Sequence, residues 1–152
     1  MRWRTGKITR GERGASAVEF ALVMPILLLM LVGIINFGLL FGQNLALSNA
    51  ARQAARYAVV QGNSCDAVKG QAVSAASPLV SMTTANVTVS RPGLASCSGA
   101  TTEACKSSNV NLTDNVTVTL TYTAQVPVGS FVPGLGSTKV LTGKGVFRCE
   151  FR

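Results

Sequence analysis

Residues Arg13 to Gly42 read RGASAVEFALVMPILLLMLVGIINFGLLFG, and their interpretation decides the architecture. From Phe20 to Gly42 there is no charged side chain. At about 1.5 Å per residue these 23 residues make a helix of roughly 34 Å, enough to cross the hydrocarbon of a bilayer. Just before the block stands Glu19, a carboxylate five positions after Gly14. An acid at the edge of a membrane helix is costly unless it is paired or reaches water, so it marks a functional position. The structural alternative is that Glu19 simply extends to the headgroup layer.

Working toward the N-terminus, residues 1–14 carry Arg2, Arg4, Lys7, Arg10 and Arg13 against Glu12, a net charge of +4. On the other flank the first charge is Arg52. Positive flanks are retained in the cytoplasm, which predicts an N-terminus inside and everything beyond about residue 43 on the extracytoplasmic side of the cytoplasmic membrane. A cleaved secretory signal fits poorly, because its apolar core is about 7–15 residues and ends at a small-residue cleavage site. A plain signal anchor fits everything except the spacing of Gly14 and Glu19.

Inside the block, Pro25 removes a backbone donor and is expected to kink or loosen the helix, which membrane helices tolerate. Gly38 and Gly42 form a GxxxG, a pattern that permits close lateral packing of helices, and Asn36 is placed to hydrogen-bond across such a contact. Beyond the block, residues 43–60 keep a helical pattern. Ala50, Ala54 and Ala58 make one small-residue row, Ala51 and Ala55 a second, and Arg52 and Arg56 share a polar face. Ala50 and Ala54 are expected to meet close neighbours, with the alternative that this half of the helix is the spine of the chain's own head.

Gly62 suits a helix C-terminus, and Asn63 or Ser64 can cap a second helix predicted over 65–76, with Cys65, Val68, Ala72 and Ala76 on one face. The pattern then switches to period two. Strands are predicted over 86–91, over 114–126 with Val116, Val118, Leu120, Tyr122, Ala124 and Val126 inward, and over 138–151, where Gly143 and Gly145 imply a bulge or bend. Helices followed by an antiparallel sheet of about three strands make an α+β fold with the sheet packed on the spine. The organisation is a basic leader 1–14, a transmembrane helix 15–42, a continuation 43–60 and a small head 61–152.

A head of that size benefits from covalent staples, and Cys65, Cys97, Cys105 and Cys149 all fall on the side assigned to an oxidising compartment. Of three possible pairings, Cys97 with Cys105 and Cys65 with Cys149 are preferred, the first closing a Gly/Ser/Thr-rich loop. A metal site finds no support, since there is no CxxC and no histidine. Nor do Asp66, Glu103, Asp114 and Glu150 form a charge relay, a carboxylate pair or a phosphate loop, so no catalytic residues, cofactor or small-molecule substrate are assigned. Asp66 reads as a first-turn acid favoured by the helix dipole. The formal charge of +8 is half leader, and the rest is dispersed without a basic run or aromatic platform, so no nucleic-acid partner is expected.

The segment RGASAVEFALVMPILLLMLVGIINFGLLF, followed by AARQAARYAVV, resembles the TadE-like pseudopilins of tight adherence (Tad, or Flp) pilus systems, relatives of the type IV pilins. The resemblance covers residues 13 to about 60. It implies a pilin-like fold, cleavage by a prepilin peptidase between Gly14 and Ala15, and Glu19 as the fifth mature residue, followed by Phe20 and then Pro25 in the membrane helix. Major pilins of these systems carry Tyr after the glutamate and are much shorter, so Phe20 and the chain length point to the pseudopilin branch. The implied partners are the membrane, the prepilin peptidase, other pilins and pseudopilins, and Tad membrane platform proteins driven by a cytoplasmic ATPase. A physical rationale accompanies this: cleavage frees an α-amino group, mostly cationic at neutral pH, one helical turn from Glu19. Paired with that ammonium, on its own or a neighbouring chain, the carboxylate stays charged at tolerable cost and sets register between helices. The competing class is a signal-anchored surface adhesin that never joins a filament.

Overall fold

A computed structural model describes residues 12–60, 62–91, 96–105, 115–130 and 136–149. Arg2, Arg4, Lys7 and Arg10, together with Asp114, Glu150 and Phe151, lie outside them.

Helix α1 runs from Glu12 to Ala58, 47 residues and about 70 Å at the standard rise. It continues through Pro25, whose missing N–H leaves the Ala21 carbonyl without its usual helical donor. The helix has two halves with different surroundings. From Gly14 to Leu45 almost every residue is exposed or only half-buried, whereas Leu47, Ala50, Ala51, Ala54, Ala55 and Ala58 are completely buried. The second half is therefore the spine of the chain's own head.

Gly62 turns the chain with φ of 86°, a left-handed conformation that costs glycine nothing. Helix α2, Cys65–Ala76, follows, and its N-cap is Ser64, whose Oγ accepts from the Ala67 N–H at 3.2 Å. Cys65, Val68, Ala72 and Ala76 are its buried face, as the spacing predicts. Three strands complete the fold: β1 (Val87–Ser90), β2 (Asn115–Gln125) and β3 (Thr138–Arg148), antiparallel in the order β1-β2-β3. Along β2 the period-two pattern is realised. Val116, Val118, Leu120 and Ala124 are buried and Tyr122 half-buried, while Thr121 and Thr123 face solvent. Burial of Val116, Val118 and Leu120 contributes roughly 1.5–3 kcal/mol each relative to exposure.

The pairing shows no bulge in β3. Pairing with β2 is continuous from Asn115↔Arg148 to Gln125↔Thr138, through Val118↔Gly145 and Leu120↔Gly143. Both glycines are buried and face α1. A Cβ on Gly143 would collide with the Leu47 carbonyl, and one on Gly145 with the Ala51 carbonyl. The missing side chains thus let a sheet backbone lie directly on a helix backbone, and glycine here serves close approach rather than a bulge.

The pairing of cysteines also corrects the expectation. The disulfides are Cys65–Cys97 and Cys105–Cys149, with Cα atoms 5.7 and 6.0 Å apart, in place of Cys97–Cys105 and Cys65–Cys149. The segment around residues 96–105 does not close on itself; it is drawn back against the turn between α1 and α2. Cys97 donates its N–H to the Val89 carbonyl at 2.7 Å, Cys65 to the Thr102 carbonyl at 2.8 Å and Ala104 to the Asn63 carbonyl at 3.0 Å. Asp66, placed in the first turn of α2, accepts from the Gly99 N–H at 3.1 Å. Those bonds carry Cys97 to the start of α2 and leave Cys105 to the end of β3.

Candidate functional site

The exposed half of α1 is the feature the fold does not consume. Over residues 14–58 the chain is long and apolar enough to cross a membrane, with a peak window of mean hydropathy 2.7, none of which is buried against the rest of the molecule. Phe20, Leu22, Ile34 and Phe37 are each between 66% and 72% exposed, a degree of apolar exposure that fits membrane anchoring. Glu19 is the one acid between Gly14 and Ala58, and it too is exposed.

Gly14 and Ala15 lie in the opening turns of α1, exposed and clear of the head. Phe20 and Pro25 continue the same apolar rod. Gly38 and Gly42 have nothing within 4 Å of where a Cβ would stand, so this part of the helix is open to a neighbour. A shallow apolar groove lies one turn earlier than the GxxxG suggests, lined by Leu29, Met30, Gly33, Ile34, Phe37 and Gly38. Gly33 was not singled out from the sequence. Its signal is the absence of bulk one turn before Phe37, whose ring stacks on Phe41 at 6.4 Å. Asn36 donates to the Val32 carbonyl of its own helix at 2.8 Å, so in the single chain its amide is engaged within α1 rather than held out for a partner.

Ala50 and Ala54 are completely buried in the chain's own core, the alternative that the sequence leaves open for this half of the helix. The opposite face of the same turns is polar and exposed: Asn49, Arg52, Gln53 and Arg56 outline a surface recess. The Arg56 guanidinium lies over the Phe147 ring, 5.3 Å from its centroid, which joins α1 to β3 on the outside as Gly143 and Gly145 join them inside. Among the described residues there is no group of three or more His, Cys, Asp or Glu side chains placed to hold a metal.

Residues 14–56 match the family model for TadE-like protein. The match covers the exposed rod and most of the buried spine and falls within the stretch, 13 to about 60, that carries the resemblance. No curated protein and no solved structure matches the chain. The match lies on the long apolar helix and spans less than half of the chain, and that helix fits membrane anchoring.

Proposed function

We propose that this chain is a minor pilin, or pseudopilin, that takes part in assembly of a Tad-type pilus through its N-terminal helix. The carrying observation is the rod itself: an uninterrupted helix whose first half is left largely exposed by its own fold and holds one acid, Glu19, near its start. Residues 1–14 form the cytoplasmic leader, removed by a prepilin peptidase between Gly14 and Ala15. Residues 15–42 hold the protein in the cytoplasmic membrane, 43–60 lead outward, and 61–152 form the extracytoplasmic head. The new ammonium at Ala15 lies about 6 Å along the helix axis from Glu19, so the two charges can pair within a chain or between neighbours and fix the axial register. Partner pilins, the major pilin and the platform proteins contact the rod; the role is structural and not catalytic.

N-terminal sequencing of the protein from native membranes tests this directly. The expected terminus is Ala15. A protein that still begins at Met1 lacks the ammonium, and the assembly role is then replaced by that of a signal-anchored surface protein. Glu19→Ala is expected to be processed yet to join assemblies poorly. Normal incorporation of that variant would remove the register role.

A further inference from the structure

We infer that the outward face of α1 formed by Asn49, Arg52, Gln53 and Arg56 is a docking stripe for an acidic helical segment of a different membrane-anchored protein. The inference rests on the assembly role proposed above and names the partner chemistry of the part of the spine that lies outside the bilayer. All four side chains are exposed, while the other side of the same turns is completely buried, so this is the face left over once the head has packed. Arg52 and Arg56 are four residues apart, and like charges at that spacing oppose helix formation. Nothing on the helix relieves them: α1 has no acid between Phe20 and Ala58, and among the described residues neither guanidinium meets a carboxylate. The Arg56 guanidinium carbon lies 5.3 Å from the centroid of the Phe147 ring, and a cation held over a ring can still offer its N–H groups to a carboxylate.

Position selects the class of occupant. Arg52 lies ten residues beyond Gly42, about 15 Å along the axis, whereas the headgroup layer adds only about 5–8 Å to each side of the hydrocarbon. The stripe therefore stands above the lipid headgroups. Charge selects further. Beyond Gly42 the chain holds nine Lys and Arg against four Asp and Glu, so two copies of the head repel one another and a partner of opposite sign is favoured. A helix rising from the same membrane beside α1, with carboxylates one turn apart, would meet both guanidiniums at once.

The test uses the full chain in native membranes, with a photo-crosslinking amino acid at Gln53 between the two arginines and, separately, at Ile34 in the membrane rod. The expected Gln53 adduct joins a single other protein within a segment bearing Asp or Glu at helical spacing. Arg52→Glu, which leaves the Arg56 contact with Phe147 in place, is expected to lower its yield roughly fivefold without changing the Ile34 adducts. Lysine at the crosslinked carboxylate of the partner should restore the yield in that variant. Adducts at Gln53 only with lipid or with a second copy of this chain, or a yield indifferent to charge reversal, would overturn the inference. Protein adducts at Ile34 with none at Gln53 would sink the stripe alone, and their absence at both positions would sink the assembly role itself.

Discussion

Four glycines show how the same residue type takes its meaning from what faces it. Gly143 and Gly145 lie in β3 against the carbonyls of Leu47 and Ala51, where no side chain fits. Gly145→Ala is expected to force the sheet off the helix and to destabilise the fold by about 1–3 kcal/mol, measured by thermal or denaturant unfolding of the detergent-solubilised protein. Gly38→Ala serves as the control, since a Cβ there meets nothing within 4 Å, and no loss of head stability is expected. Gly70 gives the opposite sign. It sits inside α2 with open space at its Cβ position, so Gly70→Ala should raise stability by about 0.5–1 kcal/mol in the same assay, because alanine loses less backbone entropy on entering a helix. From the sequence alone Gly143 and Gly145 read as a bulge or bend and Gly38 as half of a GxxxG; the fold is what separates close approach from open space.

At the scale of elements, α1 performs two tasks with one continuous helix. Its first half is bulky and apolar on all sides, suited to lipid and to other helices; its second half is small on one side and polar on the other, suited to a sheet on one side and water or a partner on the other. Ala54→Leu is expected to overpack the contact with the head and to cost about 1–3 kcal/mol in the unfolding assay, while the Ile34 crosslinks of the membrane rod persist. Helix α2 depends more on its ends. Ser64→Ala removes the oxygen that accepts from the Ala67 N–H and should cost about 1 kcal/mol by the same measurement. Both helices and the long strand β2 were legible in advance because their signals are local: hydrophobic periodicity, a cap residue and alternating valine and threonine. The short β1 was placed within a residue or two for the same reason, its flank Asn86 belonging instead to a 3₁₀ turn over Thr84–Asn86.

Across the whole molecule the two disulfides tie the long β1–β2 connection to the start of α2 and to the end of β3, sequence separations of 32 and 44. Closing loops of that length removes about 4 kcal/mol each of denatured-state entropy in the chain-entropy model, a large share of the stability of a small head. Non-reducing peptide mapping is expected to recover Cys65 linked to Cys97 and Cys105 linked to Cys149, and the double variant Cys105→Ser, Cys149→Ser should lose about 2–4 kcal/mol. The sequence by itself determined the membrane-length rod, the α+β class, the faces of α2 and β2 and the position of Glu19, because each is written in side chains close together along the chain. Only the tertiary structure decided which cysteines pair, which face of the spine is buried and why β3 holds two glycines. Those outcomes depend on which backbones come to lie side by side after the chain turns at Gly62, and such a juxtaposition of segments far apart in sequence leaves no local signal.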